Sequence, residues 1–255
     1  MKNYIQLTLT LAFFSLAFLP NNAAAQELEG EIRYLIVHNW TKKMAALDYL
    51  SQQQRDRIAY MWGNRSEWKL YANLYFTATQ SKYEDSDEKA EPDDAGYSWR
   101  KEAYVINRNF VKNTSFDIMT VLGKSYVLED SLYTPDWKIL NDMKEVAGHV
   151  CMNAYWEDSL KQQKITVWFA LDLPVPAGPE RLCGLPGIIL EADIDDGAMT
   201  LTADRIQIKK LEKEMELPRK IKGKRITEAE YRSKIKAHID QKRKAEEPWF
   251  WGLRY

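Results

Sequence analysis

The strongest constraint on this chain is a change of hydrophobic period to two that persists over its second half. Beyond Tyr97 the sequence breaks into short segments: 102–108, 115–121, 124–128, 137–140, 147–156, 164–171, 187–194 and 199–209. Apolar and polar residues largely alternate within them, as expected of strands with one face buried. Turn residues separate the segments: Asn113-Thr114, Gly123, Glu129-Asp130-Ser131, Glu157-Asp158-Ser159 and Asp195-Asp196-Gly197. Links this short suit antiparallel neighbours, whereas parallel strands need long crossovers. Asp196-Gly197 between two such runs is the strongest hairpin signal. The pattern predicts a mainly β (α+β) domain: a curved antiparallel sheet or open half-barrel with flanking helices.

The first half extends the same plan. Residues 29–39 and 67–79 alternate as strands, while 41–62 switches to helical spacing through Leu47, Leu50, Ile58 and Met61. It reads as one helix or two short ones meeting near Ser51. Residues 81–96 are acidic and almost free of apolar groups, which predicts a solvated loop. Its oxygen donors Asp85, Asp87, Asp93 and Asp94 lack calcium-loop spacing. Residues 226–246 form a helix opened by a Thr227/Glu230 capping box, with one apolar stripe of Tyr231, Ile235 and Ile239. The aromatic tail 248–255 is costly to expose and is expected to pack on the body, the other reading being a docking peptide.

Residues 1–25 combine a basic start, an apolar run over 7–19 and Ala23-Ala24-Ala25. That is the grammar of a secretory signal peptide cut between Ala25 and Gln26. The mature chain 26–255 then reads as a single domain without a transmembrane helix. The protein is expected to be exported, to the periplasm or to the outer membrane. There are 36 Lys and Arg against 37 Asp and Glu, so no basic excess favours nucleic acid. Outside the cell the two cysteines, Cys151 and Cys183, are expected to form a disulfide. It would close a loop worth roughly 3.5–4 kcal/mol. Two free thiols or a metal pair are the alternatives.

Chemistry-bearing motifs are sparse. The chain has no nucleophile elbow, zinc-protease helix, phosphate loop or dinucleotide fingerprint. No catalytic residue, cofactor or bound metal is assigned, and the sequence points away from an enzyme. His149 and Cys151, two apart on one strand, with Met152 opposite, are the soft donors a copper-type site would use, or a Cys–His nucleophile pair. A disulfide would remove the thiolate from either. Asp193, Asp195 and Asp196 fall at a turn, where aspartate serves the backbone. Nine Trp and fourteen Tyr exceed core needs. Trp68, Tyr71, Tyr75, Trp99, Tyr104, Trp137, Tyr155, Trp156 and Trp168 lie on or beside predicted strands. They form a core or line a sheet that holds an apolar or glycan ligand.

Between the tryptophan strand around Trp168 and the apolar run Ile188-Ile189-Leu190 stands Gly178-Pro179-Glu180-Arg181-Leu182-Cys183-Gly184-Leu185-Pro186-Gly187. Gly184 and Gly187 permit angles or close approaches that side chains block, and Pro186 stiffens the path between them. This is a forced backbone route into a buried strand. The run Gly184-Leu185-Pro186-Gly187-Ile188-Ile189 resembles the signature of the GLPGLI family of exported Bacteroidetes proteins, with Ile188 in place of a Leu. Asp136-Trp137, Gly148-His149-Val150-Cys151-Met152-Asn153-Ala154, Val167-Trp168-Phe169-Ala170 and Leu173-Pro174 are similar to neighbouring blocks of that family.

The resemblance implies export, a β-rich fold and no assigned activity, so it transfers no site residues. It also implies a link to TonB-dependent outer-membrane receptors. Asp130-Ser131-Leu132 and Asp158-Ser159-Leu160 resemble an O-glycosylation signal of exported proteins in that phylum. The expected function is an accessory envelope protein binding a ligand, an outer-membrane receptor or another envelope protein. Envelope copper binding and hydrolysis of glycans or peptides are the alternatives.

Overall fold

The structure is a computed structural model and describes residues 28–62, 66–90 and 104–255. The predicted signal segment and its cleavage site lie outside the described residues, as does Trp99. Among the described residues, twelve strands and three helices follow in the order β1 (Gly30–Asn39), α1 (Trp40–Ala45), α2 (Gln52–Trp62), β2 (Glu67–Phe76), β3 (Gln80–Asp85), β4 (Tyr104–Asn109), β5 (Thr114–Val121), β6 (Lys124–Ser131), β7 (Lys138–Val146), β8 (His149–Asp158), β9 (Gln163–Ala170), β10 (Ile188–Ile194), β11 (Met199–Ile208), β12 (Lys224–Ile226) and α3 (Glu228–Lys244). The fold is mainly β with flanking helices, as the alternation predicts.

All twelve strands belong to one sheet, ordered β12-β6-β5-β4-β3-β2-β1-β11-β10-β9-β8-β7. Only β12 against β6 is parallel. β12 and β7 are its two edges, so the sheet is open. The chain runs from β6, next to one edge, directly to β7 at the other through residues 132–137. Ten inter-strand spacings of about 4.8 Å would separate those strands by about 48 Å on a flat sheet. A link of that length reaches about 25 Å at most. The sheet therefore bends so that its ends approach.

β1 sits centrally, antiparallel to β2 and β11. Its alternate residues Ile32, Tyr34, Ile36 and His38 are all buried. The Tyr34 hydroxyl donates to Ile189 O across the core at 2.6 Å. The predicted helical stretch is two helices. Asn39 caps the first, its side chain accepting from Lys42 N. Ser51 starts the second, its hydroxyl accepting from Gln54 N. The capping box of α3 forms as predicted. Ile235 and Ile239 bury its stripe, and Trp249, Phe250 and Tyr255 of the tail join the same core.

Two expectations are corrected. Residues 81–85 are part of a strand, not of a solvated loop. β3 pairs with both β2 and β4, and Ser81, Lys82 and Tyr83 are buried. Its charges are tolerated because they are partnered: Lys82 with Glu84 at 3.0 Å and Asp85 with Arg254 at 2.7 Å. Beyond it, Glu88 pairs with Arg33 and Arg205. The expected disulfide is absent, and both cysteines are buried free thiols. Cys151 turns toward His149 O of its own strand, whereas Cys183 turns toward Tyr133 O at 3.6 Å. Charged groups around Cys151 are Asp172, Lys144 and Glu191, and those around Cys183 are Arg108, Arg181 and Asp117. The thiols occupy different neighbourhoods of the core.

Residues 171–187 are the long excursion between β9 and β10. They are largely buried although irregular. Their backbone groups are met internally, Gly184 N by Pro176 O and Ile189 N by Ala177 O, as burial demands. Gly184 has φ +97°, and a Cβ there would sit 2.0 Å from Thr134 Cγ2. Trp137 donates its indole N–H to Cys183 O at 2.8 Å. The forced route thus fastens the segment that crosses from β6 to β7.

Candidate functional site

Beneath α3 a cleft of about 100 Å³ opens between the sheet, the excursion and the C-terminal tail. Its ring faces come from Tyr104 of β4, Tyr133 of the crossing segment, Trp156 of β8 and Tyr231 of α3. Trp156 packs between Tyr133 and Trp137, with ring centroids 6.4 and 6.2 Å away. Leu182 and Ile194, with Ile235 of α3, supply apolar wall.

Charged side chains frame these rings in two knots. Arg181 reaches Asp117 of β5 at 3.2 Å and Glu228 in the first turn of α3, and its guanidinium lies 4.6 Å over the Tyr231 ring. Asp117 has no exposed surface and also accepts from Arg108. Arg254 makes a two-pronged contact with Asp85 at 3.1 and 2.7 Å and a further one with Glu180 at 2.8 Å. It stacks 3.4 Å over the Tyr104 ring. Glu180 accepts a second bond from the Tyr83 hydroxyl. Forked guanidinium–carboxylate contacts of this kind hold geometry as well as charge. They tie the excursion to β3, β5, α3 and the tail.

Lys161, in the β8–β9 turn, enters the cleft beside these knots and donates to Arg254 O at 3.1 Å. Burial lowers its pKa from the ordinary lysine range, because the desolvated ammonium is disfavoured. On its other side lies a second cleft of about 170 Å³, with a mostly polar wall of Asp48, Gln162, Asp195 and Arg243. There the Tyr255 hydroxyl donates to Asp195 at 2.7 Å.

The soft-donor cluster does not assemble. His149 Nδ1 contacts Asp172 at 2.7 Å, and Met152 pairs across the strands with Phe169 and Met143. Burial pushes the Cys151 thiol up to about 11 and raises that of Cys183, so neither is a ready nucleophile. Among the described residues no group of three or more His, Cys, Asp or Glu is placed to hold a metal. Asp85, one of the oxygen donors weighed for calcium, faces Arg254. Asp93 and Asp94 lie outside the described residues.

Of the sequence-predicted aromatics, Tyr104 and Trp156 line the cleft. Tyr71, Tyr75, Tyr155 and Trp168 instead face Arg33, Lys82, Lys138 and Lys144. Trp68 packs by His38. Sequence reasoning missed Tyr133, Lys161, Glu180, Arg181, Glu228 and Arg254. Apart from the adjacent Glu180 and Arg181, they come from separate stretches of the chain, with no shared local spacing to betray them.

Residues 155–191, from β8 to the start of β10, match the family described as "Protein of unknown function (Porph_ging)". The match takes in Trp156, Lys161, Glu180 and Arg181 of the cleft and the Gly184–Glu191 run. No curated protein matches the chain. Among solved structures the chain is similar to PNGF-II, in two crystal forms, with TM-score 0.53 and 15% identity over 81% of this chain and 32% of that one. The chain spans about a third of the length of PNGF-II, and the likeness is one of fold. An uncharacterized conserved protein from Thermus thermophilus also aligns, with TM-score 0.37 and 6% identity over 79% of this chain and 91% of that one.

Proposed function

We propose that the protein is an exported envelope protein that binds a small ligand in the cleft beneath α3. The observation that carries this reading is the union of ring faces and locked charges. Tyr104, Trp156 and Tyr231 offer flat apolar surface, of the kind that holds a ring-shaped ligand. Glu180 and Glu228, two of the three carboxylates lining the cleft, are each committed to an arginine, while Asp158 accepts from Leu160 N. A pre-organised wall with two of its acids held by arginines favours binding over turnover. Export is supported by the apolar run and Ala-rich boundary of the first 25 residues. Work beside an outer-membrane receptor or another envelope protein belongs to the same reading.

Native mass spectrometry of protein purified from its own cell envelope tests the proposal. Expected are a polypeptide beginning at Gln26 and an added mass that Trp156→Ala and Tyr231→Ala abolish. An identical, ligand-free mass for the native protein and both variants overturns the binding reading. A retained first segment overturns the export reading. Crosslinking in intact cells tests the receptor, and capture of no envelope protein counts against that part.

A further inference from the structure

We infer that the ligand of this cleft carries an acidic group, received by Lys161 and Arg232 beside the Tyr133–Trp156 rings. The inference rests on the binding reading above and names the ligand's chemistry. Arg181 and Arg254 are paired with carboxylates, whereas Lys161 feels Asp158 and Glu180 only through space and Arg232 stacks on a ring. Among the described residues neither has a carboxylate at ion-pair distance. Lys161 gives one hydrogen bond, to Arg254 O, and lies 5.7 Å from the Trp249 ring. Arg232 stacks 5.1 Å over the Tyr133 ring. Both line the cleft, from opposite sides: the β8–β9 turn and α3.

An ammonium has three donors and a guanidinium five, and neither accepts. Most of those donors are unmet by protein here. The Lys161 ammonium is also drawn out of water, the condition under which a bound anion contributes most. Uncharged ligands would leave these charges uncompensated, whereas a carboxylate can accept from Lys161 or from Arg232. Arg232 is held by its ring contact, so its fork is already oriented. The adjoining Trp156 face then stacks the ring that bears the acid. Sugar acids and aromatic acids share that chemistry.

The test is a ligand-observed NMR titration of the full-length protein at low salt with D-glucuronate, D-glucose, 4-hydroxybenzoate and 4-hydroxybenzamide. At least one acid is expected to bind tenfold or more tightly than its neutral counterpart. Arg232→Gln should reduce that advantage by about ten- to a hundredfold, the weight of a lost charge-assisted bond, and Arg232→Lys should restore part of it. Binding by glucuronate assigns a sugar acid, and binding by hydroxybenzoate an aromatic one. Neutral probes binding within twofold of their acids overturn the inference and leave the binding reading intact. So does an acid preference that survives both Arg232→Gln and Lys161→Gln with melting unchanged. Binding by none of the four also overturns it, while the envelope mass measurement, blind to ligand charge, judges the cleft by itself.

Discussion

Gly187 is the position where one methyl group should do most damage. Its backbone lies so close to the end of β9 that an added Cβ would stand 1.9 Å from Ala170 O, 2.6 Å from Ala170 C and 3.2 Å from Leu171 N. Those atoms are main chain and cannot rotate aside. Relief requires the start of β10 to retreat by about an ångström, where Ile188 pairs with Ala170 and donates to Leu173 O at 3.0 Å. Overpacking of a tight core costs about 1–3 kcal/mol, and a weakened backbone hydrogen bond adds about 1 kcal/mol. Gly187→Ala should therefore lose roughly 2–4 kcal/mol, and at this size melt about 5–15 °C lower. Gly148→Ala is the control. It has φ +84° but nothing within 4 Å of the new Cβ, so only backbone strain of about 1–2 kcal/mol applies. Thermal unfolding followed by circular dichroism compares them. If Gly187→Ala melts as high as Gly148→Ala, close approach is not what the glycine provides, and the account of the β9–β10 junction fails.

Asp117→Asn should destabilise by about 3–5 kcal/mol, because it leaves Arg108 and Arg181 without the buried carboxylate they share. A urea midpoint unchanged from the native protein would refute it. The thiols give a further prediction. Ellman's reagent should find none in the folded protein and two after unfolding without reductant. None after unfolding would mean that they are joined. The folded pKa of Cys151 is raised, to about 11, above about 8.5 in the unfolded chain. The unfolded state thus binds fewer protons between these values, and stability should fall as pH rises through that window. Cys151→Ala, followed by urea unfolding, should flatten the fall.

Much of the fold was legible because its signals are local. Alternation in Ile32, Tyr34 and Ile36 marks β1, and Thr227 with Glu230 marks the start of α3. Each depends on side chains a few residues apart. β3 was hidden because Ser81 to Asp85 carries the charge of a solvated loop, and its burial depends on Arg254, far along the chain. The cleft was only half legible. Tyr104 and Trp156 stand out as aromatics on strands, but nothing near Arg181 announces Asp117 or Glu228. The cysteine pairing failed for a related reason. Compartment and count favour a disulfide, yet only the packing shows which groups surround each thiol.

By itself the sequence determined most of the strands, though not β3 or β12, the capped helix, the need for glycine at residues 184 and 187 and the burial of the aromatic tail. These follow from side-chain periodicity and steric limits on the backbone, which act over a few residues. Tertiary structure decided the strand order, the bend that lets six residues join β6 to β7, and the meeting of rings and charges beneath α3. It also left Lys161 and Arg232 lining the cleft with no carboxylate at ion-pair distance, Asp158 attracting Lys161 through space. Such features depend on which distant segments share space, and Coulomb and packing energies are set by that distance rather than by separation along the chain.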